Sequence, residues 1–363
     1  MNMTVAQSLN LPVSAATTVH QAATARMIAD YADRTLLTEL MLTPKPGLVD
    51  RRNSGSHHDM DIHTFVASAR AIAPWWLRFV EIGSASSHVA ASAALPIVRP
   101  LGVLCEEEML RATGGVNTHK GAIFSLGLLC FAAGRLLACR KLLTRERLCS
   151  EVASICVALV DQELSPKGRA QTAGERAFRR HGITGARGEA ASGYATVRAA
   201  ALPVYDGLRR KGIDEELLLL QVLLHLLAVN DDTNLVSRGG LAGLNYVRAH
   251  ARTLLRKGGV FARGGLEKMA AFDDALVARH LSPGGTADLL GLTWFLAQFP
   301  AAIGSLDARA RARPEGNGGE PERWMYFRTL ACGESSPQRT RKGRVQCREV
   351  DHTDFARMNV RGS

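Results

Sequence analysis

Between Thr43 and Asp61 the chain reads TPKPGLVDRRNSGSHHDMD, with three cations, two histidines and four acid or amide side chains. Lys45, Arg51 and Arg52 can neutralise phosphate, Asp50, Asp59 and Asp61 can hold a divalent cation, and His57, His58 and His63 can move protons. Any one of these residues alone reads as a helix cap or a solvated charge. The density of the cluster argues for a site, since ordinary connections are shorter and blander. A second cluster, GGVNTHKG at 114–121, is a glycine turn opening onto a helix, with Asn117 or Thr118 in the capping position. Free N–H groups there favour an anion, and His119 and Lys120 in the first turn need a negative ligand to offset the dipole. The Walker pattern GxxxxGK[ST] is absent. A third, NDDTN at 230–234 followed by Arg238, crowds oxygen donors at the end of an apolar helix. Asp232 and Asn234 suit magnesium there, and Arg238 suits a phosphate, while an Asx-turn linking two helices is an equal reading. The fourth, GARGEAASG at 185–193, offers Arg187 as a cation and Glu189 as a base among small residues, although a flexible loop explains it as well. SPGGTAD at 282–288 reads as a turn with a helix cap, and His225 and Cys130 read as packing residues.

These clusters need helices to hold them. Apolar residues recur at helical spacing from Gln21 to Leu42, and Pro44 ends that segment. Asp61 caps a second helix, which Pro74 kinks or restarts. A third covers Glu106 to Ala112, and a strongly apolar fourth reaches about Leu137, with Gly121, Gly127 and Gly134 inside it. Glycine in a helix interior costs about 1 kcal/mol against alanine, so the three imply close backbone packing. Further helices are expected over Arg145–Leu164, Tyr194–Arg210, Asp214–Val229 with Asp214 as cap, Leu241–Arg256, Glu267–His280 and from Thr286, as cap, to Phe299. Lys167 to about Ser192 reads as loop. No strand-period alternation and no repeat are visible, so the fold class is all-α. Residues 1–20 read as a loose arm, 21–300 as one domain, and 301–363 as a basic low-order tail around the apolar cluster Trp324–Phe327.

The net charge is +11, of which the tail from Ala301 contributes +4 (12 Lys/Arg against 8 Asp/Glu). The remainder is spread over the domain, which suits an anionic small substrate; no basic stripe with interleaved aromatics favours nucleic acid. Seven cysteines form no CxxC pair and no zinc spacing, so reduced thiols in a cytoplasmic protein are expected. No secretory signal is evident, and the apolar run Leu217–Ala228, 12 residues long, is too short to span a bilayer.

TPKPGLVDRRNSGSHHDMD, GGVNTHKGAIFSLG, GARGEAASGY, DTNLVSRGG and SPGGTADLLGLTWFL, in that order, resemble the triphosphoribosyl-dephospho-coenzyme A synthase family from roughly Ala29 to Gln298. The likeness is closest to synthases that serve citrate lyase. Those that serve malonate decarboxylase are near neighbours, with an opening motif less rich in Asn and Met. The resemblance implies that ATP donates its triphosphoribosyl unit to the 2′-hydroxyl of 3′-dephospho-coenzyme A, and that adenine leaves. The product would pass to a holo-acyl-carrier-protein synthase. ATP is then a ribosyl donor whose anhydrides survive, in keeping with the missing Walker lysine. The family's β-to-α change at the sugar implies a single displacement, with an acid toward adenine and a base toward the hydroxyl.

On that reading Lys45, His119, Lys120 and Arg238 hold the triphosphate, with Arg51, Asn117 and Arg187 as further substrate contacts. Asp50, Asp232 and Asn234 hold magnesium on it. Glu189 or Asp59 is the base and His57 the acid. Two rivals predict other behaviour: a nucleosidase on the same scaffold releases adenine without dephospho-coenzyme A, and a helical polyanion-binding module releases none.

Overall fold

The structure, a computed structural model, describes residues 19–164 and 172–301, together with a short antiparallel ladder pairing Gln338–Arg339 with Val345–Gln346. Contacts divide the chain into Met1–Asp307 and Ala308–Ser363, the ladder belonging to the second unit. Trp324–Phe327, Cys332 and Cys347 lie outside the described residues.

Among the described residues the regular elements of the first unit are helices: α1 (Val19–Met41), α2 (Ile62–Ala85), α3 (Leu95–Ala112), α4 (Lys120–Ala138), α5 (Arg145–Ile155), α6 (Leu159–Glu163), α7 (Ala173–His181), α8 (Gly185–Ala191), α9 (Leu202–Arg210), α10 (Glu215–Val229), α11 (Thr233–Arg256), α12 (Gly265–Val277) and α13 (Gly284–Ala297). Local chemistry explains several boundaries. Asp61 accepts from the Thr64 N–H and starts α2 with a reciprocal capping box, and Asp214 accepts from the Glu216 and Leu217 N–H groups to start α10. α2 runs on through Pro74 without restarting. The segment expected to be loop instead holds α7 and α8, and α11 joins the helix expected from Leu241 to a further helical stretch before it, from Thr233. Gly240, at φ 62° and ψ −164°, breaks the line of α11. His119, not Asn117 or Thr118, is the N-cap residue of α4. Pro283 precedes the first residue of α13, and Thr286 lies inside that helix.

α4 is the hub. It packs on α1, α2, α3, α5, α8 and α13, and it is long and apolar enough to cross a membrane by composition, although most of it is buried among the other helices. Its glycines set the approach to α2. A Cβ at Gly134 would overlap the Val80 carbonyl oxygen, and one at Gly83 on α2 would overlap that of Phe131. Packing at native density leaves no slack for either methyl. α13 packs against α1, α4 and α10. Its far end is closed by Arg145, whose Nε donates to the carbonyls of Leu296 at 3.0 Å and Phe299 at 2.9 Å, while Nη1 pairs with Asp206. The Leu296 carbonyl also accepts from the Phe299 N–H at 3.1 Å, so the guanidinium is a further donor there and opposes the partial negative charge of the helix end.

Candidate active site

Four helix starts from distant parts of the chain meet around one cavity of about 580 Å³: those of α4, α8, α11 and α13. The loop after α1 adds Lys45, His57, Asp59 and Met60, and α1 itself adds Thr35 and Glu39. Backbone N–H groups at helix starts are unpaired by the helix and carry its positive dipole end, so four of them give the cavity a field that favours anions.

Lys45, His57, Asp59, Asn117, His119, Lys120, Arg187, Glu189, Asp232, Asn234 and Arg238 all line this cavity. Arg51 does not. It pairs with Glu216 at 2.7 Å and borders a shallow groove beside Leu266. Asp50 is likewise absent from the lining. Its Oδ2 accepts from the Thr43 hydroxyl and the Lys45 N–H, both at 2.8 Å, and its Oδ1 from the Arg52 and Asn53 N–H groups. Four donors fill the acceptor sites of a carboxylate, so Asp50 fastens the loop to itself.

The cations are partnered as well. Lys45, buried, donates to the Glu39 carboxylate at 2.6 Å and to the Glu39 carbonyl at 2.8 Å. Arg187 donates to Glu163, and Lys120 turns outward to Glu106 at 2.8 Å. Arg238 bridges the Ser56 and His280 carbonyls and reaches the His57 Nδ1. Asn117 receives the Lys120 N–H.

Proton-handling groups separate by environment. His119 is 5% exposed, and its Nδ1 lies 2.6 Å from the Ser68 hydroxyl, which in turn accepts from the Thr118 hydroxyl. The Ser68 contact forms with either tautomer, and the buried Nε2 has no partner among the described residues. Burial, with Lys45 nearby, pushes the His119 pKa down to about 3. His119 is therefore a neutral imidazole on the cavity wall rather than a cation. His57 Nδ1 lies 3.3 Å from the Arg238 guanidinium, its Nε2 faces the Ser282 hydroxyl at 2.9 Å, and burial and then Arg238 lower its pKa, which disfavours the imidazolium that a general acid requires. Glu189 is fixed by the Thr196 hydroxyl at 2.6 Å and the Thr196 N–H, and burial raises its pKa. Asp59 is 64% exposed beside His57.

Asp232 is the tie between two helices. Its Oδ1 accepts from the Asn234 and Leu235 N–H groups at the head of α11; its Oδ2 accepts from the Thr286 N–H at 2.7 Å and the Thr286 hydroxyl at 2.8 Å on α13. As in Asp50, every acceptor site is occupied, so neither carboxylate fits the expected magnesium-ligand role. No group of three or more His, Cys, Asp or Glu among the described residues is arranged to hold a metal ion.

Sequence reasoning missed two carboxylates here. Glu39 sits near the end of α1, and Asp288 in α13 lines the cavity without accepting a hydrogen bond from any described residue. Burial, then Glu39 and Asp232, push the Asp288 carboxyl well above the usual range. Its one sequence signal was an acid within the first turns of an otherwise apolar helix.

Fold and cavity together define an all-helical enzyme with one polar cavity at converging helix starts. Residues 25–306 match the family described as ATP:dephospho-CoA triphosphoribosyl transferase. The chain is 55% identical over 278 residues to the 2-(5''-triphosphoribosyl)-3'-dephosphocoenzyme-A synthase of Klebsiella pneumoniae, covering 76% of this chain and 92% of that protein. It is 52% identical, over the same shares, to the synthase of Escherichia fergusonii. Against the probable synthase 1 of Salmonella typhimurium it is 55% identical over 269 residues, 74% of this chain and 89% of that protein. No solved structure was found to match. The chain belongs to the ATP:dephospho-CoA triphosphoribosyl transferase family.

Proposed function

We propose that the protein transfers the triphosphoribosyl group of ATP to the 2′-hydroxyl of 3′-dephospho-coenzyme A with release of adenine. The observation that carries this reading is the meeting of four helix starts on one polar cavity, a setting suited to a polyphosphate. The triphosphate lies against the starts of α4 and α13, where His119, Lys45, Lys120, Arg187, Arg238 and Asn117 are the candidate contacts. The lining has four cationic side chains (Lys45, Lys120, Arg187, Arg238) against six carboxylates (Glu39, Asp59, Glu189, Asp231, Asp232, Asp288). Those cations alone do not neutralise a triphosphate, so magnesium enters with ATP as part of the substrate rather than as a resident ion.

Glu189 is our choice of base for the attacking hydroxyl. Two of its acceptor sites remain open beside the Thr196 bonds, and its raised pKa makes it a better proton acceptor than an exposed carboxylate. Asp59, screened by solvent, is the weaker choice. The asparagine- and methionine-containing opening motif supports citrate lyase over malonate decarboxylase as the carrier served, with a holo-acyl-carrier-protein synthase taking the product. The five cysteines among the described residues are free, four of them buried, which supports a reducing, cytoplasmic setting.

The test is incubation with ATP, magnesium and dephospho-coenzyme A, followed by mass analysis. Adenine and the triphosphoribosyl adduct should appear together. Adenine released at the same rate without dephospho-coenzyme A would instead establish the nucleosidase.

A further inference from the structure

We propose that Asp288 is the acid that protonates the departing adenine; this rests on the transfer reaction above. Asp288 stands in the first turns of α13, on the wall of the cavity and against the first turn of α4, where a Cβ at Gly121 would strike its carboxylate. The glycine there leaves the carboxyl its seat.

The other candidates are committed elsewhere. Asp50 and Asp232 have all their acceptor sites filled by hydrogen bonds from the protein, and Glu39 is held by Lys45. His57 is engaged at both nitrogens. Asp288 accepts nothing from the described residues, so its carboxyl is available to a ligand.

Burial first, and then the charges around it, favour its protonated form. Glu39 from α1 and Asp232 from the head of α11 both act on it. Lys45 is directed to Glu39, Lys120 points outward to Glu106, and Asp231 pairs with Arg248. No cation is therefore paired with Asp288, and burial beside two acids favours the neutral carboxyl.

In the step itself the C1′–N9 bond breaks and its electron pair passes to adenine. Asp288 gives its proton to a ring nitrogen of the base, and the 2′-oxygen of dephospho-coenzyme A bonds to C1′. The hydroxyl proton passes to Glu189. Asp288 ends as carboxylate, Glu189 as carboxylic acid, and exchange with water restores both.

N7-methyl-ATP separates this role from the rest of the site, because its base already carries the positive charge and leaves without being protonated. With the full-length protein, Asp288→Asn should lose about 100-fold or more in turnover of ATP, the scale of general acid catalysis, while keeping most of its turnover of N7-methyl-ATP. An equal loss on both donors, or none on ATP, overturns the proposal. If the variant does not fold, the wild-type protein decides. Its rate with ATP should fall as pH rises through the Asp288 pKa, and its rate with N7-methyl-ATP should not. The same alkaline limb on both donors overturns the proposal. Adduct formation by wild-type protein in the same assay separates failure of this assignment from failure of the proposed reaction.

Discussion

Replacing Asp232 by alanine tests whether that carboxylate is a tie between helices or a metal ligand. The side chain caps α11 and accepts two hydrogen bonds from Thr286 on α13. Loss of the cap costs about 1 kcal/mol. The Thr286 N–H keeps the Pro283 carbonyl at 3.0 Å, so its loss is small. Its hydroxyl still accepts from the Asn230 amide at 3.0 Å but has lost its own acceptor, which adds about 1–3 kcal/mol. The total is about 2–4 kcal/mol, which lowers Tm by about 4–8 °C in a domain of this size. Thermal denaturation followed by circular dichroism reads this directly. The companion measurement is a magnesium titration of ATP turnover in Asp232→Asn. A tie leaves the half-saturating magnesium concentration near that of wild type, whatever happens to the maximal rate. Unchanged Tm in Asp232→Ala, joined to a rise of about tenfold or more in magnesium demand in Asp232→Asn, would refute the reasoning and restore Asp232 as a ligand.

Other outcomes follow from the same geometry. Gly134→Ala drives a methyl into the Val80 carbonyl where α2 crosses α4, and should cost about 1–3 kcal/mol or more in urea denaturation. His119 stays neutral in the fold down to about pH 3 but protonates near 6.5 when unfolded. The native state thus gains stability from it above pH 6.5 and loses that gain as pH falls toward 3, with a limiting slope of about 1.4 kcal/mol per pH unit. His119→Gln should flatten that slope in denaturation curves measured between those limits. Glu189→Gln should lower turnover by about 100-fold or more with normal folding, while Asp59→Asn retains most activity in the same adenine-release assay.

The long helices were legible because their cues are local: Asp61 and Asp214 are capping residues in front of apolar runs, and glycines at 127 and 134 inside α4 announced a close neighbour. α7 and α8 were hidden because their sequences, AGERAFRRH and GARGEAA, carry too few apolar residues to show a period. The break at Gly240 is real, and what escaped notice is the short helical stretch from Thr233 ahead of it, whose few apolar residues show no period. At the site, sequence gathered most of the lining residues but could not tell which way an oxygen faces. Asp50 and Asp232 look like ligands on paper, and only the placement of the backbone around them shows the chain itself using every acceptor position. Asp288 was overlooked for the opposite reason, since a turn followed by an apolar helix left nothing unexplained.

Arg145 lies at the opposite end of α13 from the cavity, yet it plugs the carbonyls there. A dipole interaction fades within one helix turn, so this arginine reaches the cavity only by keeping α13 in its seat. Substitutions at Arg145 should loosen the bundle, and a loss of function traced to this arginine need not point to damage at the reacting centre.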